Sequence, residues 1–169
     1  VNFHLWKPCN MRCRYCFAHF DDAGHDNLSR DDALAVVREL AMGFERITFV
    51  GGEPTLCPWL LELIDAARSA GLGTSVVTNG WRLAQDAPFA AALLCRVDWL
   101  GLSVDSDETA TNLNVGRTVG RRTIPTAELV RIAALARRYG LGLKVNTVVT
   151  RANAEQDLRR MILDLRPDR

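Results

Sequence analysis

The sequence predicts an α/β protein built on a parallel sheet. Five short β-rich runs, at 1–6, 46–50, 74–78, 99–105 and 143–149, alternate with longer stretches of helical period. Gly71 and Gly140 each follow a helical stretch and precede a strand-like one, as helix-terminating glycines do. A chain of 169 residues with 48% apolar content is long enough for one domain with a buried core. Successive βα units imply parallel strands joined by right-handed crossovers. Periodicity fits an open doubly wound sheet and a partial barrel equally well.

Local signals mark the elements in order. Ser29, with Asp32 three residues on, caps a helix running towards Phe44. Pro58 and Pro125 suit first helical turns. Asn79-Gly80 closes the third strand, and 86–95 predicts a helix. Residues 105–123, rich in Asp, Thr, Asn, Gly and Arg, lack a clear period and predict a long binding loop. Asn153 with Gln156 forms a capping box for the last helix.

Charge and composition exclude several classes. With 21 basic and 20 acidic residues the chain has no broad field of the kind that attracts nucleic acid or an anionic membrane, so any anion site is local. No signal sequence opens it and no apolar run approaches the roughly 20 residues that span a bilayer, which predicts a cytoplasmic protein without a membrane segment. The chain starts in a strand without an initiator Met and stops at 165–169 without a terminating element, the expectation for a fragment of a single domain, 1–169.

A strand buried on both faces reads as continuous hydrophobics, so polar residues at alternate positions need a reason. Asn2 and His4 share one face of the first run, Arg46, Thr48 and Val50 one face of the second, Ser103 and Asp105 one face of the fourth. In the fifth, Lys144 and Asn146 lie together opposite Leu143, Val145 and Thr147. Lysine occurs twice against nineteen arginines, and one of the two is Lys144. If these faces converge they form a polar pocket whose cations suit a polyanion such as a phosphate chain. The alternative is that Arg46 and Lys144 snorkel from strand ends into water.

Three of five cysteines fall in eight residues, Cys9-Asn10-Met11-Arg12-Cys13-Arg14-Tyr15-Cys16, without a fourth partner. A closed zinc site takes four ligands, usually in two pairs, and none of His4, His19 and His25 shows a paired spacing with Cys57 or Cys95. Cys57 and Cys95 sit in apolar settings and predict core thiols. An iron–sulfur cubane held by three thiolates leaves one iron open to an exchangeable ligand.

Cys9-x3-Cys13-x2-Cys16 after a first strand, with Tyr15 inside and Phe17 beyond, followed by Val50-Gly51-Gly52-Glu53-Pro54 at the end of the second, resembles the radical S-adenosylmethionine (SAM) superfamily. The resemblance implies a partial (βα)6 TIM-like barrel, with five strands visible and the C-terminal part absent. It also implies a 4Fe–4S cluster on Cys9, Cys13 and Cys16, and SAM received by Phe17, Gly51, Gly52, Glu53 and Pro54.

Val1-Asn2-Phe3-His4, Val77-Thr78-Asn79-Gly80, Ser103-Val104-Asp105-Ser106 leading to Asn112 and Gly116-Arg117, Lys144-Val145-Asn146-Thr147 and Asn153-Ala154-Glu155-Gln156-Asp157 sharpen the resemblance to viperin-like enzymes. That family converts a ribonucleoside triphosphate (CTP, UTP or GTP) into its antiviral 3′-deoxy-3′,4′-didehydro analogue, by 4′-hydrogen abstraction and loss of the 3′-hydroxyl. The match implies cofactor contacts at Asn79, Ser103 and Arg117, the last able equally to face the triphosphate. It implies substrate contacts at Asn2, Arg46, Thr48, Lys144 and Asn146, and an electron donor such as flavodoxin or ferredoxin.

Arg46 stands where animal members have Lys, Thr48 where they have Asn and Val50 where they have Ser, which leaves the base preference open. The family continues into a further basic strand and a C-terminal region that helps close the substrate site, neither of which is in this sequence, so this chain alone is expected to be inactive; the lack of the N-terminal amphipathic helix of animal members, with the Arg-rich, Lys-poor usage, points to a bacterial or similar source. The alternatives are a radical SAM enzyme that modifies a peptide or activates another enzyme, and a non-catalytic metal-binding module.

Overall fold

Side chains alternate across a strand, so the two faces of this sheet can be read separately. The computed structural model describes residues 1–17 and 27–169. It has five strands: β1 (Asn2–Trp6), β2 (Arg46–Gly51), β3 (Gly73–Thr78), β4 (Trp99–Ser103) and β5 (Gly142–Asn146). They form one open sheet in the order β1-β2-β3-β4-β5, all pairs parallel. On one face Phe3, Leu5, Ile47, Phe49, Val76, Leu100, Leu102 and Leu143 are buried. Helices α1 (Arg30–Ala41), α2 (Leu60–Ser69), α4 (Ala87–Leu94), α6 (Thr126–Arg138) and α7 (Arg159–Leu165) add their apolar residues to the same continuous core.

Strand order decides what periodicity left open. A doubly wound sheet reverses its order at a switch point, whereas here every crossover moves one strand in the same direction. With right-handed crossovers that winding puts the helices on one side and turns the other face inward, as in a barrel. The inward face carries Asn2, Arg46, Thr48, Ser75, Trp99, Lys144 and Asn146. Asn2, Arg46 and Lys144 are exposed and Thr48 half-buried, so among the described residues these strands are not covered on both faces.

Several local expectations are corrected. The last two strands stop at Ser103 and Asn146, short of 105 and 149, because the backbone beyond turns to side chains: the Val148 N–H donates to Asp105 Oδ1 at 2.9 Å. Residues 105–123 contain a short helix, α5 (Thr109–Asn114), and a further short helix, α3 (Trp81–Gln85), follows Gly80. The helix expected over 86–95 runs from Ala87 to Leu94 with Asp86 as its cap. Pro125 sits at the cap position of α6 and Pro58 lies two residues ahead of α2. Asn153 and Gln156 do not cap α7, which begins at Arg159 without a side-chain cap; both side chains are drawn into tertiary bonds described below. Cys95 is exposed at the C-terminal cap of α4, one residue past the buried Leu93 and Leu94, whereas Cys57 is in the core. Gly71 and Gly140 close α2 and α6 with φ of 85° and 75°.

Ser29 Oγ accepts the Asp32 N–H at 3.1 Å at the start of α1. Ser29→Ala is expected to lower the unfolding free energy by about 1 kcal/mol in urea titrations, without changing the steepness of the transition.

Candidate active site

The C-terminal ends of β1 and β2 meet through backbone alone. The Gly52 N–H donates to Trp6 O at 2.7 Å and the Glu53 N–H to Pro8 O at 2.9 Å. A Cβ on Gly52 would stand 2.2 Å from Lys7 O, so only glycine lets the cysteine segment lie against this turn. Glu53, 1% exposed, directs its carboxylate inward. Its Oε1 accepts from Thr55 N–H at 3.1 Å, Thr55 Oγ1 at 2.6 Å and Thr78 Oγ1 at 2.6 Å, and its Oε2 from Asn79 N–H at 2.8 Å. Burial pushes the Glu53 carboxyl above its ordinary pKa against the pull of these donors. Glu53 thus fastens the ends of β2 and β3 together.

The cysteine segment is held from two further sides. Asn79 donates Nδ2–H to Asn10 Oδ1 at 2.7 Å and accepts the Trp81 N–H on its own Oδ1 at 2.9 Å. Across the site the Arg14 N–H donates to Val115 O at 2.9 Å and the Arg12 N–H to Gly116 O at 3.3 Å, just past α5. Gly116 has φ of 79°, and a Cβ there would meet Arg12 O at 2.2 Å. Beneath these contacts Tyr15 Oη donates to Asp105 Oδ2, Arg117 Nη1 donates to Tyr15 Oη at 3.2 Å and lies 3.4 Å from Asp105 Oδ2, and Arg117 Nη2 donates to Ser103 O at 2.6 Å. Asp105 is 2% and Arg117 9% exposed. Burial opposes the Arg117 charge, but Tyr15 and Asp105 outweigh it and raise its pKa, while burial holds Tyr15 as a protonated donor.

Cys9, Cys13 and Cys16 are half-buried and border one cavity of about 460 Å³. Gly51, Gly52, Glu53, Asn79, Ser103 and Arg117 line it too, and Phe17, 86% exposed, lies on its rim. Pro54 is buried behind the wall at the start of a 3₁₀ turn, Pro54–Leu56. Among the described residues no three His, Cys, Asp or Glu side chains draw together round a single ion, and the thiols surround a space with room for a larger group. His4 lies exposed on β1 outside this lining, and His19 and His25 fall outside the described residues. Burial raises the thiol pKa of Cys9 and Cys13; Arg117 pulls that of Cys13 back down.

A second space of about 510 Å³ runs along the inward face of the sheet. Asn2, Arg46, Thr48, Lys144 and Asn146 all line it, together with Ser75, Asp98, Trp99 and Arg169. Thr48 Oγ1 and Ser75 Oγ form a hydrogen bond of 2.7 Å on its floor. Val50, Val77 and Asn146 line both spaces, so the two are continuous. Of these two spaces Arg117 borders the cysteine cavity and not the groove.

The model of the Radical SAM superfamily matches residues 6–165. The chain belongs to the radical SAM superfamily. Its cofactors are accordingly a 4Fe–4S cluster and SAM, and three thiols facing one roomy cavity, with an arginine beside Cys13, fit that pair. A protein of Flammeovirga pacifica named S-adenosylmethionine-dependent nucleotide dehydratase is 45% identical over the whole chain, which covers 60% of that protein. One of the same name from Lacinutrix mariniflava is 42% identical over the whole chain, which covers 37% of it. The chain therefore spans less than two thirds of the length of these curated relatives. Streptococcus suis SuiB bound to S-adenosylmethionine has the same fold, with a TM-score of 0.78 at 17% identity over 99% of this chain and 38% of its own.

Asn10, Trp99 and Arg169 are site residues that the sequence did not single out, and Asp105 is one it marked without a site role. Asp105 carried a signal, as an acid on the strand face of Ser103. Asn10, Trp99 and Arg169 carried none, since their partners are remote in sequence or lie across the sheet.

Two outcomes follow for this radical SAM core. Asp105→Ala leaves a buried, unpaired Arg117 and is expected to cost roughly 3–5 kcal/mol of unfolding free energy in urea, with Asp105→Asn losing less. Because metal takes thiolates and burial holds Cys9 and Cys13 protonated, anaerobic iron and sulfide uptake is expected to release protons and to strengthen steadily as pH rises from neutral towards the raised thiol pKa values, with Arg117→Gln shifting that rise to higher pH. Absorbance near the cluster bands at limiting iron measures it.

Proposed function

We propose that the protein of which this chain is part is a radical SAM nucleotide dehydratase that converts a ribonucleoside triphosphate into its 3′-deoxy-3′,4′-didehydro analogue, an antiviral product. One observation carries the reading: the groove lined by Asn2, Arg46, Thr48, Lys144 and Asn146 opens directly into the cysteine cavity through Val50, Val77 and Asn146. A polyanion in the groove would put the sugar attached to it at the junction. The names of the two bacterial relatives support the same substrate class.

Cys9, Cys13 and Cys16 would hold the cluster, with SAM against Phe17, Gly51, Gly52, Glu53, Pro54, Asn79, Ser103 and Arg117. When bound, this pair supplies one-electron cleavage of SAM and removal of a hydrogen atom from the substrate. The chain's residues bind, orient and exclude water. Arg46 and Lys144 neutralise the phosphates, Asn2 and Asn146 fix the polar end of the nucleotide, and the apolar Val50 and Val77 keep the junction dry where the ribose 4′-carbon must sit. The 3′-hydroxyl leaves as water once a further electron and a proton arrive. Flavodoxin or ferredoxin suits the one-electron supply, and a cytoplasmic setting provides both donor and nucleotides. Among the described residues no helix is long and apolar enough to cross a membrane.

Full-length protein, reconstituted anaerobically and given SAM, reductant and each NTP in turn, is expected to make 5′-deoxyadenosine faster with one nucleotide and a product lighter by one water. Lys144→Ala is expected to raise the KM for that nucleotide roughly ten- to a hundredfold, the loss of a charge-assisted phosphate contact. SAM cleavage indifferent to every NTP would sink the reading.

A further inference from the structure

We propose that Trp99 is a positioning residue for polyphosphate: its ring carries the Arg169 guanidinium and aims it into the groove beside Lys144 and Arg46. This rests on the nucleotide reading above and assigns how one end of that groove is built.

Arg169 is anchored to β5 by its main chain. Its N–H donates to Leu143 O at 3.3 Å and its carbonyl oxygen accepts the Val145 N–H at 3.0 Å, a parallel bridge that sets Arg169 beside Lys144. Neighbours paired in this way project to the same face, so both cations enter the groove. From there the Arg169 guanidinium carbon lies 4.9 Å from the centroid of the Trp99 ring. The ring can lie there because its register partner on β5 is Gly142, where a Cβ would stand 2.5 Å from the ring carbons. The same device recurs on the other side of the groove: Arg46 pairs with Gly73, where a Cβ would stand 3.2 Å from Arg46 Cγ.

A long arginine side chain loses rotamer freedom when it grips a phosphate, and anchoring it beforehand removes part of that cost. A carboxylate anchor would also cancel its charge. An aromatic face holds the cation and leaves the charge for the ligand. Asp98, the acidic residue on the groove wall, is itself engaged by the Thr74 N–H at 2.6 Å and by Arg68 at 3.4 Å.

The test uses full-length protein and inorganic tripolyphosphate, titrated by calorimetry, with KM and kcat for the preferred NTP measured alongside. Trp99→Leu removes the ring, and Gly142→Ala displaces it without removing it. Each is expected to weaken tripolyphosphate binding roughly three- to thirtyfold and to raise KM with kcat unchanged, while Trp99→Phe keeps near wild-type values. In an Arg169→Gln background Trp99→Leu should have no further effect. Equal tripolyphosphate affinity in wild type, Trp99→Leu and Gly142→Ala would overturn the proposal, as would an undiminished Trp99→Leu effect in Arg169→Gln. A wild type that binds neither tripolyphosphate nor any NTP would overturn the nucleotide reading and this inference with it.

Discussion

The buried contact among Asp105, Arg117 and Tyr15 is what the rest of the site depends on. It joins three separate parts of the chain: the end of β4, the turn after α5 and the cysteine segment. Withdrawing two charges from water costs several kcal/mol each unless pairing and hydrogen bonds are nearly complete. Here they are: Asp105 also accepts the Val148 N–H, and Arg117 also donates to Ser103 O. Such an arrangement tolerates little displacement, so the cysteines inherit a fixed distance from the strand ends. Glu53 does the same on the opposite side, with four donors on one carboxylate.

Around this hub a wider polar network ties the loops after β4 and β5. Asn153 Nδ2 donates to Asp105 O at 2.9 Å and to Val148 O at 3.0 Å. Gln156 accepts from Ser106 Oγ at 2.7 Å and donates to Glu108 Oε2 and Thr111 Oγ1, both at 2.6 Å. Asn112 donates to Ser106 O at 2.9 Å. Ser106, Asn112, Asn153 and Gln156 thus hold loops in place and line neither space. The division of labour is sharp: one set of polar groups is consumed in building the rim, and another, on the inward sheet face, is left facing the groove.

That inward face also accounts for the continuity of the two spaces. Small or apolar residues at Val50, Val77 and Gly101 leave the sheet low there, and Lys144 stands in the same register row on the edge strand β5. On the proposed nucleotide reading, energy from gripping phosphates in the groove would orient the attached sugar at the junction.

Much of the fold was legible in the sequence, because strand and helix periods are local and so is a cap such as Ser29. The polar alternation of Arg46 with Thr48, and of Lys144 with Asn146, signalled the groove face, since such residues on a sheet demand a polar destination. The capping box at Asn153 misled for a related reason: a local hydrogen bond competes with tertiary ones, and Asp105 and Val148 offered buried partners worth more than a helix end in water. The sequence alone determined the alternation of elements, the cysteine and glycine motifs, and which strand faces are polar. Only the tertiary structure decided that the sheet winds in one direction, that Arg117 is shared between Tyr15 and Asp105, and that Trp99 lies over Gly142 beneath Arg169. Each of these depends on cross-strand register or on contacts between distant segments, which no local period encodes.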